Sequence, residues 1–276
     1  MSSRLELKLS ACMLYVYSNL TLGNAKASGR GLEIIRECLR KEMEAPTSER
    51  NTAYCVFAGY METVLLHLST EKLPDMKKYM SSLPQGLRIF AAYVISHNLY
   101  LKGEYSRALG ICDAALFSCK EIYPVGMIYL YCVTAMCEIS LKNQAEAEKA
   151  ILTAWKLAEK DELIEPFIEL HGLLQGLLES CIRKENPEMY RKISDAVITF
   201  SRGWMAVHNP ASDNLVTDAL TTMEFSIAML ACRDWSNREI AEHMGLSLNT
   251  VKHYLTDIFN KIHVKKRDEL KNFVLK

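Results

Sequence analysis

A short stretch near the C-terminus places small polar and cationic side chains on one face of a predicted helix. These side chains are Asn249, Thr250, Lys252, His253 and Thr256. Val251, Leu255 and Ile258 recur at three- and four-residue steps and mark the opposite, apolar face. Amides, hydroxyls and cations are the groups that reach base edges and phosphates in the major groove of DNA. The chemistry predicted here is therefore nucleic-acid binding, and no catalytic residues are indicated.

Three predicted helices position this face. The segment Thr221–Glu224 forms a capping box that opens the first helix, and Ser236–Glu239 repeats the box at the start of the second. Gly245 ends the second helix, because a tight turn between crossing helices usually needs a residue that tolerates positive φ. Ser247 or Asn249 caps the third helix, which carries the polar face.

The motifs of this segment are linked in order and register. They are Leu220-Thr-Thr-Met-Glu224, Ser236-Asn-Arg-Glu-Ile-Ala241, Gly245-Leu-Ser247 and Thr250-Val-Lys252. Residues 220–270 resemble the LuxR-type (GerE- or FixJ-type) helix-turn-helix DNA-binding domain. The resemblance implies that Lys252, His253 and Thr256 approach base edges, with Asn249 and Thr250 near the helix start. Lys252 is the first candidate, whereas His253 has three possible contacts: a base, a phosphate or only water.

A helix N-terminus and several cations are candidates for contacts with the DNA backbone, which neutralise charge without reading sequence. They are Ser236, Lys261, Lys265, Lys266 and Arg267. A lysine-rich surface turn is the alternative interpretation. From residue 250 onward seven basic residues outnumber three acidic ones, whereas the whole chain carries 33 of each. So small an excess predicts weak binding by one domain and favours a homodimer on two half-sites.

A fourth predicted helix, over residues 268–276, carries the apolar stripe Leu270, Phe273 and Val274. In the resembled family this helix commonly forms the dimer contact, so these three residues are dimer candidates. The alternative is that the stripe only closes the core of the domain itself.

Three positions depart from the resembled family. Met223 replaces the usual arginine, so Glu224 and Leu230 must hold the first helix. Asp234 replaces the usual glycine, which predicts a slightly strained turn, and Tyr254 stands where the family has histidine. These departures and the modest charge favour the alternative function, a protein-interaction scaffold whose helix-turn-helix no longer reads DNA.

The preceding residues are predicted to be entirely α-helical. The chain is 49% hydrophobic with only 12 glycines and 7 prolines, and no sustained alternation typical of strands occurs. We expect a helical domain over residues 1–206 and a linker over 207–216, where Pro210 and turn-forming side chains interrupt two periodic stretches. The helix-turn-helix domain then occupies residues 217–276.

Two segments of the helical domain, 100–116 and 143–155, repeat each other. Their small residues, such as Ala108 and Ala147, recur 39 residues apart. The pattern resembles the tetratricopeptide repeat, in which small residues let paired helices approach closely. Together with weaker copies, it predicts about five helical pairs stacked in a right-handed solenoid. A featureless helical bundle is the alternative.

The concave face of this solenoid is the predicted site for an unknown small-molecule or protein effector that frees or dimerises the DNA-binding domain. Its aromatic candidates are Tyr93, His97, Tyr100, Tyr129 and Tyr131, for which a place in the hydrophobic core is the alternative. The layout resembles the C-terminal half of MalT-like transcriptional regulators. The chain lacks the glycine-rich phosphate loop of an ATPase, so no ATP-driven switch is expected within it.

Other chemistries are not indicated. A phosphorylated receiver domain would need alternating strands and helices. The seven histidines show no paired metal spacing and the nine cysteines no Cys-x-x-Cys, so no metal or cofactor is predicted. Cysteines such as Cys112 and Cys132 lie on apolar helical stretches and indicate reduced thiols. Without a predicted signal peptide or membrane span, we expect a cytoplasmic transcriptional regulator that is not an enzyme.

Overall fold

The structure is a computed structural model that describes residues 2–66, 73–119, 121–208 and 220–270. Within these ranges the chain is helical and contains no β-strand. The predicted all-α class is therefore confirmed. Most of the predicted linker over 207–216 lies outside the described residues, as do the dimer candidates Phe273 and Val274.

The N-terminal region consists of helices that pack mainly against their sequence neighbours. They are α1 (Ser2–Thr21), α2 (Ala25–Glu44), α3 (Glu49–Leu66), α4 (Gln85–Leu101), α5 (Tyr105–Ser118), α6 (Pro124–Ser140), α7 (Gln144–Ala158), α8 (Glu165–Leu170), α9 (Arg183–Glu185) and α10 (Pro187–His208). Shorter elements lie between them, namely 3-10 helices at Met76–Ser82, Glu159–Asp161 and His171–Leu174 and a π-helical turn at Leu178–Ile182. The apolar faces of these helices form the core of the region.

The pairs α4–α5 and α6–α7 are helical hairpins with the same turn. The amides of Glu104 and Asn143 each donate a hydrogen bond of 2.9 Å to the carbonyl oxygen five residues earlier. The residue before each donor is left-handed, with φ of +75° at Gly103 and +64° at Lys142. Glycine adopts this conformation freely, whereas a Cβ makes it unfavourable. Lys142 therefore holds a backbone conformation that destabilises its own hairpin.

The two ends of the N-terminal region are in contact. Helix α1 packs against α10 as well as against α2. A Cβ at Gly203 would lie 2.8 Å from the carbonyl oxygen of Leu20, so glycine permits this close approach. An open stack of helical pairs would hold its first and last helices apart. The region is therefore closed on itself, and its assignment to the tetratricopeptide class stays a prediction.

The C-terminal domain contains α11 (Thr222–Cys232), α12 (Asn237–Met244) and α13 (Leu248–Lys261). Thr221 and Ser236 are N-caps with complete capping boxes, as predicted, and Gly245 ends α12 with φ of +64°. Of the two predicted caps for α13, Ser247 is the one observed, because its hydroxyl accepts a 3.0 Å hydrogen bond from the amide of Thr250. The local signals therefore identified the starts of α11, α12 and α13.

The sequence predicted a fourth helix over residues 268–276, of which the structure describes residues 268–270. Residues Arg267–Leu270 form a 3-10 helix. The Arg267 guanidinium donates hydrogen bonds to the carbonyl oxygen of Ala231 at 3.2 Å and to Oδ1 of Asn237 at 2.9 Å, which ties this segment to α11 and α12. Leu270 is fully buried in the core. Leu270 thus packs within its own domain, and its role in a dimer contact stays a prediction.

Asp234 lies in the turn between α11 and α12 with φ of +62°, the left-handed backbone predicted at this position. We expect Asp234→Gly to be more stable than Asp234→Ala by about 1 kcal/mol, because both variants lack the carboxylate and only alanine keeps a Cβ in this conformation. Urea unfolding followed by circular dichroism measures the difference. Equal stability of the two variants would show that the turn is not strained.

Candidate nucleic-acid interface

The polar face of α13 points away from the rest of the protein. Asn249, Lys252, His253 and Thr256 are exposed and Thr250 is half-buried. The structure therefore brings all five predicted base-contacting residues to one surface. Among the described residues, Lys252 and His253 form no ion pair, so both side chains are available to a ligand.

The buried face of α13 fixes the orientation of this surface. Val251, Leu255 and Ile258 are buried in the core that α13 shares with α11 and α12. Tyr254, at the position of the family histidine, is half-buried and packs against the same core. A rigid helix with one buried and one polar face is the arrangement that a recognition helix requires.

The five predicted backbone contacts fall into two groups. Lys265 and Lys266 are exposed and form no ion pair with a described residue. The other three take part in the structure of the domain itself. Ser236 caps α12 through its hydroxyl, and Lys261 pairs with Glu224. Arg267 donates to the carbonyl oxygens of Ala231 in α11 and Trp235 in the turn after α11. The free cations of this surface are therefore fewer than the sequence suggested.

Glu224 joins the first helix of the domain to the last turn of α13. Its carboxylate accepts hydrogen bonds from the Thr221 amide at 2.8 Å and from Lys261 Nζ at 2.7 and 2.8 Å. Burial alone would raise the pKa of Glu224, but Lys261 and Thr221 outweigh it and lower the pKa below its usual value. The carboxylate thus stays charged and holds α11, in agreement with the role predicted for it in the absence of the family arginine at Met223.

The opposite side of the C-terminal domain is docked on the N-terminal region. Arg233, at the end of α11, donates hydrogen bonds to Tyr100 Oη at 2.7 Å and to Ser140 Oγ at 2.9 Å. Gln175 donates to the same Ser140 hydroxyl at 3.0 Å. The two contacts of Arg233 join residues more than 90 positions apart in sequence and fasten the turn between α11 and α12 to the ends of α4 and α6.

A buried carboxylate forms the second contact between the two parts. Glu179, in the π-helical turn, binds His171 Nε2 at 2.8 Å, Ser226 Oγ of α11 at 3.1 Å and Tyr190 Oη at 3.4 Å. Burial pushes the pKa of Glu179 upward, but the charge and hydrogen bond of His171 outweigh it and hold the pKa below its usual value. Single π-helical turns occur frequently at functional sites, and this one places a charged group at the domain contact.

Helix α12 completes the docked surface through both of its ends. At its start, Lys142 Nζ lies 3.0 Å from Glu239 Oε1 and 5.8 Å from the centroid of the Trp235 ring. The amide of Ser236 and then Lys142 lower the pKa of Glu239 to about 2. At its other end, His243 Nε2 lies 2.8 Å from the carbonyl oxygen of Gln175. The C-terminal domain is thus held by α11 and α12, on the side away from the exposed polar face of α13.

The aromatic residues proposed for an effector-binding face lie mostly in the interior. Tyr93, His97, Tyr100 and Tyr129 are buried, and Tyr131 is half-buried. Tyr93 and Tyr129 have ring centroids 4.5 Å apart, and the His97 and Tyr100 rings follow at 6.1 Å. These rings pack against one another between α4 and α6 and form no open concave surface. Their role in binding an effector stays a prediction.

Sequence reasoning missed the residues that join the two parts of the protein. His171, Gln175 and Glu179 follow one another at four-residue steps within a leucine-rich stretch, and all three are buried. Polar residues at helical spacing in an apolar segment signal a buried network. That signal was present in the sequence, whereas no local pattern indicated that Arg233 contacts the N-terminal region.

Two further findings concern the described part of the chain. No group of three or more histidine, cysteine or acidic side chains there is placed to hold a metal ion, and no helix there is long and apolar enough to span a bilayer. The cysteines form no disulfide. Burial raises the pKa of Cys112 to about 11 and that of Cys132 still further, as expected for unreactive thiols.

Comparison with known proteins covers part of the chain. Residues 218–274 match the family of bacterial regulatory proteins, luxR family. A curated relative, the probable transcriptional regulatory protein SgaR of Hyphomicrobium methylovorum, is 30% identical over 88 residues. The match covers 31% of this chain and 40% of the relative, so the chain spans about two-fifths of that protein's length. No solved structure matches the chain significantly. The C-terminal residues thus form a helix-turn-helix domain similar to those of the luxR family of bacterial DNA-binding regulators.

Proposed function

We propose that the protein is a sequence-specific DNA-binding transcriptional regulator in which α13 enters the major groove. The observation that carries the proposal is the exposed face of α13, on which Lys252 and His253 stand without ion-pair partners among the described residues. The family match of residues 218–274 supports it. Lys252, His253 and Thr256 contact bases, while Lys265 and Lys266 contact phosphates.

The number of free cations bears on the oligomeric state. Lys252, Lys265 and Lys266 provide few phosphate or base contacts per domain, and so few contacts give weak binding at physiological salt. We infer that two copies bind together on two half-sites. Leu270, Phe273 and Val274 are the candidates for the dimer contact, and the last two lie outside the described residues.

The N-terminal region acts in this proposal as an effector- or partner-binding module of the tetratricopeptide type. Its contacts with α11 and α12 leave the outward face of α13 uncovered. DNA therefore has access to α13 while the two parts of the protein are docked. Binding of an effector changes DNA affinity by altering this docking, and physical blockage of the recognition helix is not required.

The salt dependence of DNA binding tests the proposal. With Lys265 and Lys266 on phosphates, we expect the logarithm of the affinity to fall with the logarithm of salt concentration with a slope of about −2 for one domain and about −4 for a dimer. Fluorescence anisotropy of the full chain with labelled fragments from upstream of its own gene measures this slope. A fragment of scrambled sequence serves as the control for specificity.

The alternative is a protein-interaction scaffold whose helix-turn-helix does not read DNA. The engagement of Lys261 and Arg267 within the domain favours it, because these cations are partly withdrawn from a DNA backbone. Absence of binding to every upstream fragment at low salt, or a slope near zero, would support the scaffold. Binding to the specific and scrambled fragments with equal affinity would also contradict the proposed function.

A further inference from the structure

A stripe of mainly apolar side chains runs along the outer face of α1, at the three- and four-residue steps of one helix face. Its members, here called the α1 stripe, are Leu7, Ala11, Leu14, Ser18 and Leu22, and all five are exposed. The three leucines are 70–75% exposed, although α1 already buries Leu9, Val16 and Leu20 on its opposite side. Helix α1 is therefore apolar on two faces, of which the fold covers one. A contiguous apolar surface of this kind marks an interaction site.

The apolar surface continues from α1 onto α2. Tyr15 borders the α1 stripe and is 44% exposed. Its ring lies on α2, because a Cβ at Gly31 would be 3.3 Å from the ring atom Cδ1. Ile34, one turn further along the same face of α2, is 40% exposed. The exposed surface is thus wider than a single row of side chains.

The α1 stripe is complementary in shape to a second copy of itself that runs in the opposite direction. A two-fold axis through its middle places Leu7 of one copy opposite Ser18 of the other. Leu14 then lies opposite Ala11, because both pairs are offset by the same spacing along the helix. Each large side chain meets a small one, which lets two helices pack closely. A parallel copy would instead place leucine against leucine and alanine against alanine.

The charges of α1 favour the same antiparallel arrangement. Arg4 and Lys8 are exposed in the N-terminal half of the helix, and its last turn carries no cation. Glu6, the one acidic residue of α1, pairs with Arg50 of α3. In an antiparallel pair, Arg4 lies opposite Thr21 of the second copy, at the negative end of that helix dipole. A parallel pair would bring each cation against its own copy.

We propose that α1 is a homodimer contact, in which the α1 stripes of two copies pack antiparallel about a two-fold axis beside Cys12 and Met13. Helix α1 is 20 residues long, or about 30 Å. One helix pair of this length, even with Tyr15 and Ile34 at its border, buries less than a standard stable interface. The contact is therefore weak in the free protein and is separate from the candidates in the C-terminal domain.

Sedimentation velocity of the full chain without DNA tests the contact. We expect wild type to dimerise with a Kd of about 10–100 µM. Leu14→Glu is expected to weaken dimerisation about tenfold or more, because it places two carboxylates in an apolar contact beside the two-fold axis. A monomeric wild type at several hundred µM, about ten times the expected Kd, would overturn the proposal. Equal association of wild type and Leu14→Glu would overturn it as well.

Two further variants separate the contact from general effects of charge and stability. Ile122→Glu makes the same change of charge at a side chain that is 74% exposed in the loop before α6, and it should dimerise like wild type. Ala11→Lys combined with Leu14→Glu places opposite charges across the axis and should recover about threefold or more of the lost affinity. A double variant no tighter than Leu14→Glu would exclude the antiparallel register. Urea unfolding should show that each exposed substitution leaves the fold intact.

The α1 contact has a consequence for DNA binding, which rests on the proposed function. Two copies joined through α1 reach two half-sites together, so a weak contact in solution raises the affinity for a paired site. Leu14→Glu should therefore weaken anisotropy-detected binding to the preferred upstream fragment, and Ile122→Glu should not. Unchanged DNA affinity of Leu14→Glu would overturn this consequence. Failure of all DNA binding would contradict the proposed function and leave the sedimentation result intact.

Discussion

Replacement of Lys252 by alanine is expected to weaken DNA binding by about 1–3 kcal/mol, or roughly five- to 150-fold. Lys252 lies on the outward face of α13 and forms no ion pair with a described residue. Its loss therefore removes a contact with DNA and leaves the folded domain unchanged. Fluorescence anisotropy with the preferred upstream fragment, at one fixed salt concentration, measures the effect.

A lysine outside the C-terminal domain provides the matched control for Lys252→Ala. Lys78 is exposed in the 3-10 helix Met76–Ser82, which packs against α3 and α4. Lys78→Ala changes the net charge by the same amount and is expected to retain wild-type affinity. If Lys252 contacts a base, its substitution also reduces discrimination between the specific and scrambled fragments. Wild-type affinity of Lys252→Ala would show that α13 does not enter the groove as proposed.

Replacement of Glu179 by alanine is expected to destabilise the protein by about 3–5 kcal/mol. The substitution leaves the buried His171, Ser226 and Tyr190 without their shared acceptor. Loss of one member of a buried charged network is costly because the others cannot recover their hydration. Urea unfolding followed by circular dichroism measures the change in the free energy of unfolding.

Glu33, an exposed glutamate of α2, provides the control. Glu33→Ala is expected to change stability by less than about 0.5 kcal/mol, and a similarly small effect of Glu179→Ala would contradict the buried network. The pH dependence is a second readout. Because the pKa of Glu179 is lowered in the folded state, its contribution is complete above the unfolded pKa of about 4.3 and is lost as pH falls through the folded pKa. The stability difference between wild type and Glu179→Gln should therefore shrink in acid.

The C-terminal domain was predictable because its signals are local. A capping box such as Thr221 with Glu224 spans three residues, and both side chains bond to backbone groups of the same turn. The left-handed turn at Gly245 is likewise encoded by one residue. These signals fix the helix boundaries, and the apolar spacing within α13 then determines which of its faces is exposed.

The docking of the two parts was not predictable in this way. The hydrogen bond between Arg233 and Tyr100 joins residues 133 positions apart, and no local pattern specifies such a pair. The aromatic residues illustrate the same difficulty. From their types alone, Tyr93 and Tyr129 could be assigned either to a binding face or to the core, and the structure packs them against each other in the interior. Side-chain type does not distinguish a buried aromatic cluster from a ligand site.

The left-handed backbone of Lys142 has a consequence for engineering the protein. A selection for stability of the N-terminal region alone would favour glycine at position 142, as at Gly103 in the equivalent turn. The same change in the complete chain would remove the side chain that contacts Glu239 and Trp235. Optimising one part of this molecule in isolation would therefore weaken its connection to the other.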